Sequence, residues 1–214
     1  MRVVIAGGHG QIALLLERRL AERGDEAVGI VRNAAHTADL AAAGATAVVA
    51  DLETSRVDEV AETVAGADAV VFAAGAGPGS GAPRKLTVDR DAAILLADAA
   101  VATGVRRYVM VSAMHVDEAD PDSDDVFQVY LRAKAAADAD LRGRDLDWTI
   151  VRPGRLTDGP GTGLVRLGEQ VPFGEIPRAD VAAVLAGVLD EPATIGRQFD
   201  VVSGDTPVET ALRG

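Results

Sequence analysis

A chain of 214 residues, 48% of them hydrophobic, can bury one good core, and nothing in its composition shifts as it would at a linker, so a single domain over residues 1–214 is expected. Its net charge of -12 opposes nucleic acid and anionic membrane, which call for clustered Lys and Arg; the two lysines are Lys85 and Lys134. The lack of cysteine removes disulfides, thiolate metal sites and a cysteine nucleophile together, and the scattered histidines His9, His36 and His115 offer no metal-ligand set, so no metal is expected.

The opening apolar stretch is too short for a signal peptide and no uncharged run reaches membrane-spanning length, so a soluble, cytoplasmic protein is expected. Val3 to Ala6 reads as a first strand and runs into AGGHGQIA at 6–13. There Gly7-x-x-Gly10-x-x-Ala13 stands between strand and helix. Gly7 suits a tight turn, Gly10 lets the backbone approach a pyrophosphate, and Ala13 lets the helix pack close to the strand. Unpaired amides of the first helical turn, Gln11, Ile12 and Ala13, then face the anion. His9 reads as a spacer turned outward. The helix shows Ile12, Leu15, Leu16 and Leu20 on one side, Glu17, Arg18, Glu22 and Arg23 mostly on the other, and stops at Gly24.

A second strand spans Ala27 to Val31. A site for NAD usually has Asp or Glu at its end for the ribose 2′-hydroxyl; Arg32 stands there instead and suits a 2′-phosphate, so NADP(H) is the expected cofactor. A helix over Ala38 to Ala43 leads to a third strand, Thr46 to Ala50, closed by Asp51 and Leu52, which are placed to flank the adenine. After a helix at Val57 to Val64, the strand Ala69 to Ala73 ends in FAAG, where Ala73, Ala74 and Gly75 are small enough to lie against a cofactor. The run GAGPGSGAP at 75–83 breaks the alternation, and a helix follows over Leu86 to Thr103.

The strand Arg107 to Val111 ends at Ser112. The acidic stretch HVDEADPDSDD at 115–125 lacks the glycine of a calcium loop and reads as a solvated loop whose last acids favour the next helix N-terminus, with a mobile lid as the alternative. That helix, Val126 to Leu141, carries Tyr130 and Lys134 four apart on one face. An ammonium beside a phenol lowers its pKa, which would make Tyr130 a general acid for a carbonyl oxygen, with Ser112 hydrogen-bonding the same oxygen. The remaining elements are a strand at Trp148 to Val151, a loop rich in Gly and Pro from Arg152 to Pro177, a helix over Arg178 to Leu189 and a strand at Phe199 to Val202. Valine-rich runs alternating with helices predict a doubly wound parallel α/β sheet of Rossmann-like type with a small C-terminal substrate-side region.

These residues, with TVDRDAAILLADAA at 87–100, RRYVMVSA at 106–113, TIVRPGRLTDGPGTG at 149–163 and IPRADVAAVLAGVLDEP at 176–192, resemble the atypical short-chain dehydrogenases/reductases of the epimerase/dehydratase-like, NAD(P)-binding subgroup. The resemblance covers nearly the whole chain. It implies NADP binding, a Ser112, Tyr130, Lys134 constellation in which Lys134 also touches the nicotinamide ribose, and passage of Pro153, Gly154 and Arg155 near the nicotinamide. It also implies that Asp89 replaces the asparagine of the full tetrad and alters its proton relay. Only some sixty residues follow the sixth strand, which disfavours a large nucleotide-sugar substrate. Two functions follow as alternatives. One is an NADP(H)-dependent oxidoreductase passing hydride to a small carbonyl, quinone or similar acceptor, or to a flavin or tetrapyrrole-like acceptor without a tyrosine acid. The other is a non-catalytic NADP(H)-sensing regulatory protein. The expected state is a monomer or homodimer with a small-molecule substrate.

Overall fold

Apolar runs that alternate sides of a pleat build the centre of the protein, which is described for residues 1–77 and 79–214 by a computed structural model; Pro78, in the run 75–83, lies outside the described residues. In chain order the strands are β1 (Arg2–Ala6), β2 (Glu26–Val31), β3 (Thr46–Val49), β4 (Ala69–Phe72), β5 (Arg107–Val111), β6 (Asp147–Pro153), β7 (Arg155–Thr157), β8 (Leu164–Gly168), β9 (Glu175–Pro177), β10 (Arg197–Ser203) and β11 (Thr206–Pro207). The helices are α1 (Gln11–Glu22), α2 (Thr37–Ala42), α3 (Val57–Val64), α4 (Ala92–Thr103), α5 (Val126–Arg142), α6 (Arg178–Asp190) and α7 (Val208–Arg213).

Nine strands form one sheet in the order β11-β8-β10-β6-β5-β4-β1-β2-β3, and β7 pairs with β9 in a small second sheet. From β10 to β3 every pairing is parallel, while β8 runs antiparallel to β10 and β11 to β8. This is the Rossmann-like doubly wound sheet that the alternation predicts. The strand order reverses between β1 and β4, and the crevice beyond their carboxyl ends is where such sheets take ligands.

Both faces are covered. Val3 and Ile5 of β1 meet Leu16, Leu20 and the apolar side of α6, whereas Val4 and Ala6 belong to the opposite layer with Val60, Val64, Leu96 and Leu141. Burial of each such Val, Leu or Ile is worth about 1.5–3 kcal/mol, so the central strands form a rigid floor for the loops at their ends. The helix expected over Leu86 to Thr103 divides: a π-helical turn, Lys85–Asp91, precedes α4 and turns Lys85, Val88 and Asp89 inward. The segment Arg152 to Pro177, expected as loop, contains β7, β8 and β9, and α7 closes the chain beyond the last expected element. No helix among the described residues is long and apolar enough to cross a membrane.

Candidate active site

The glycine loop begins with Gly7 at φ +82°, and a Cβ there would stand 2.6 Å from the Ala74 Cα, so backbone conformation and contact both require glycine. Amides of Gly7 and Gly8 donate to the Ile30 carbonyl at 3.2 and 3.0 Å, and that of Gly10 to the Gly7 carbonyl at 2.8 Å, folding the loop over the end of β2. Then α1 starts with Gly10 as N-cap, with no capping side chain and no acid in its first turn. Amides of Gln11, Ile12 and Ala13 therefore open the helix toward the crevice without a built-in anion. A cavity of about 250 Å³ runs from here past Arg32, Asp51, Leu52, Ala73, Ala74 and Gly75. The Arg32 guanidinium is 57% exposed and stands 3.8 Å from Glu53. Glu53 is held more closely by Arg84 at 2.7 Å and Thr87 at 2.6 Å, and the Arg84 hydrogen bond in particular keeps its carboxyl below the usual range. Asp51 accepts from the Glu53 amide at 3.0 Å. A turn that only glycine fits, an uncapped helix start and a cleft ending at an exposed cation together suit a dinucleotide with its diphosphate on the loop.

A second cavity, about 580 Å³, shares Ala73, Ala74, Gly75 and Ala76 with the first and continues to Ile12, Lys85, Asp89, Ser112, Phe127, Tyr130, Lys134, Pro153, Gly154 and Leu156. Lys134 is buried. Its ammonium donates to the carbonyls of Val111 at 3.0 Å and Ala74 at 3.4 Å, and Asp89 Oδ1 lies 3.6 Å away. Burial lowers the Lys134 pKa, an effect that Asp89 and Asp138 partly offset. Asp89 accepts from the Ala76 amide at 3.2 Å through Oδ2, while its Oδ1 has no hydrogen-bond partner. The phenol of Tyr130 departs from the sequence expectation. Its pKa is raised by burial and further by the charges of Asp89 and Asp138, because the Lys134 ammonium is directed at backbone carbonyls and Asp89. Lys85 instead stands over the Tyr130 ring, 5.5 Å from its centroid, and donates to the Gly77 carbonyl.

Ser112 meets a residue the spacing did not single out. Asp138, four residues beyond Lys134 and fully buried, accepts on Oδ2 from Ser112 Oγ at 2.9 Å and from Arg152 Nε and Nη2 at 3.0 and 2.8 Å. Arg152 reaches on to Asp117 at 2.5 Å, tying the acidic stretch to the sheet, and Asp125 caps α5 through the amides of Phe127 and Gln128. His9 differs from the expected outward spacer: it lines the first cavity, stacks on His36 with ring centroids 3.6 Å apart, and pairs with Asp39 at 2.7 Å. Glu17 differs too. It lies on the buried side of α1, fully enclosed beneath the glycine loop. Arg155 is drawn away from both cavities, 72% exposed and paired with Glu175 at 3.2 Å on the small β7/β9 sheet, while Pro153 and Gly154 line the second cavity. His115 takes a left-handed conformation, φ +62°, and its ring tilts against Phe173.

Residues 7–192 match the family described as NAD(P)H-binding. The chain is 38% identical over 214 residues, all of this chain and 99% of the other, to the uncharacterized sugar epimerase YhfK of Bacillus subtilis. A candidate NAD-dependent epimerase/dehydratase of Bacillus halodurans superposes with a TM-score of 0.92 at 38% identity, covering 100% of this chain and 99% of that one. The oxidoreductase ylbE of Lactococcus lactis gives 0.86 at 25% identity, covering 100% and 95%.

Proposed function

Because the chain belongs to the NAD(P)H-binding family, we propose that it is an NADP(H)-dependent oxidoreductase reducing a small carbonyl, quinone or similar acceptor in the cavity bounded by Tyr130, Lys134 and Ser112. The observation that carries this reading is that the two cavities share the wall Ala73 to Ala76, one lined by the glycine loop and the other by Tyr130 and Lys134. Gly7, Gly10 and the first amides of α1 hold the diphosphate, Arg32 takes the 2′-phosphate, Asp51 and Leu52 flank the adenine, and Lys134 bonds the nicotinamide ribose. Asp89 Oδ1, buried without a hydrogen-bond partner, is a further acceptor for that end of the cofactor. Bound here, the nicotinamide supplies hydride.

The resting protonation state of Tyr130 follows from the protein's own groups. A phenol whose pKa is raised stays protonated, so Tyr130 donates a hydrogen bond to a carbonyl oxygen and releases its proton to that oxygen as negative charge develops there.

Calorimetric titration with NADPH and NADH tests the cofactor assignment: NADPH should bind more tightly, and Arg32→Ala should remove most of the preference. Equal affinity for the two coenzymes in the wild type rejects the role of Arg32. On any acceptor found by screening NADPH oxidation, Tyr130→Phe should lower kcat by about a hundredfold or more. Full turnover in that variant rejects Tyr130 as the acid and favours direct hydride transfer.

A further inference from the structure

The hydrogen bond between Ser112 and Asp138 has a fixed direction. Asp138 Oδ2 already accepts two N–H groups from Arg152, which does not give up its proton, so Oδ2 cannot itself carry a hydrogen; any proton on this carboxyl sits on Oδ1, which has no partner. The third contact at Oδ2, 2.9 Å from Ser112 Oγ, is therefore donated by the serine whether Asp138 is ionised or neutral. Turning the hydroxyl away would set two lone-pair-bearing oxygens 2.9 Å apart inside the protein, where nothing screens them. Ser112 lines the substrate cavity with its hydrogen already engaged, so it presents lone pairs alone to whatever binds there.

We propose that Asp138, braced by Arg152, is a positioning residue that makes Ser112 a hydrogen-bond acceptor, and that the chain selects carbonyl acceptors bearing an O–H or N–H donor beside the reducible carbonyl. The inference rests on the proposed reductase reading and replaces the donor role that spacing suggests for Ser112. Tyr130 supplies the site's hydrogen to the carbonyl oxygen, and Ser112 receives one from the neighbouring substituent. An α-hydroxy ketone satisfies both, whereas a simple ketone leaves the buried Ser112 oxygen unmatched. Sites built around such a bond reject analogues that lack it far more strongly than sites that read only apolar size.

Three matched probes test this: α-hydroxyacetophenone, α-methoxyacetophenone and acetophenone. The first two differ by one methyl on the oxygen, the third lacks that oxygen, and the second and third bracket the first in size. In each turnover the ketone carbon gains hydride from NADPH, the C=O π bond opens, and the oxygen takes the Tyr130 proton, which water replaces; the products are the alcohol and NADP+. Wild-type kcat/KM should favour the hydroxy ketone over both others by about tenfold or more. Ser112→Ala should lower only the hydroxy ketone, to the level of its methyl ether. If Ser112 were instead a donor to the carbonyl oxygen, Ser112→Ala would slow all three alike, which overturns the proposal. Asp138→Leu, followed together with its melting temperature, removes the acceptor that engages the Ser112 hydrogen and should narrow the preference between the hydroxy and methoxy ketones, whereas an unchanged preference overturns the positioning role of Asp138. Should that variant fail to fold, the Ser112→Ala comparison decides alone. Binding of NADPH with no turnover of any probe overturns the substrate inference and leaves the cofactor reading standing; failure to bind NADPH removes both.

Discussion

Glu17 provides the sharpest test of how the glycine loop is supported. Its carboxyl is fully buried on α1, neither oxygen has a hydrogen-bond partner, and it packs so closely below the loop that a Cβ on Gly8 or Gly29 would stand 2.9 or 2.5 Å from Oε1. Burial without compensation raises its pKa from 4.5 to about 8. Between those values the folded protein holds a proton that the unfolded chain releases, so stability is highest at the acidic end and falls as pH rises. At roughly 1.4 kcal/mol per pH unit, the loss attributable to Glu17 is about 3 kcal/mol at pH 7 and about 5 kcal/mol once pH exceeds the folded value. Glu17→Gln keeps the shape and removes the ionisation. Urea unfolding followed by the fluorescence of Trp148, the chain's one tryptophan, should find the variant and wild type nearly equal at pH 5 and the variant more stable by about 4 kcal/mol at pH 8. Other carboxylates titrate in both proteins and cancel in the difference. A gap that is the same at the two pH values would refute the argument, since a packing change has no reason to track the pH.

Two further substitutions separate loop geometry from buried charge. Gly7→Ala forces a Cβ against Ala74 and a left-handed backbone on a residue that disfavours it; with strain of about 1–3 kcal/mol, NADPH affinity should fall by about ten- to a hundredfold in calorimetry, and unchanged affinity would show that the loop is not the diphosphate cradle. Arg152→Ala leaves Asp138 buried without its guanidinium and should cost about 3–5 kcal/mol of stability near neutral pH, less under acid conditions where Asp138 takes up a proton; a neutral-pH loss below about 1 kcal/mol in urea melts would contradict the ion-pair reading.

What could be read from the sequence was local, and what escaped was set by partners distant in the chain. A strand, three small residues at fixed offsets and a helix lie within the first 22 positions, so the glycine loop is legible without any tertiary contact. Tyr130 and Lys134 likewise share one helix face by spacing alone. Their electrostatics come from elsewhere in the chain: Val111 and Ala74 draw the Lys134 ammonium, and the π-helical turn carries Asp89 inward. The charge of Glu17 points to the polar side of α1, yet Ala13, Leu16, Glu17 and Leu20 form one buried stripe, and the space that admits its carboxyl is created by glycines at positions 8 and 29. Asp138 carried a usable signal, since it continues the four-residue step from Tyr130 through Lys134, though only Arg152 and Ser112 give that step meaning. The Gly- and Pro-rich segment after β6 misled for a related reason. A Cβ on Gly154 would stand 2.2 Å from the Gly174 carbonyl oxygen. Gly154 and Gly174 answer to close backbone approach where β7 and β9 pair, so a composition that resembles loop also holds strands.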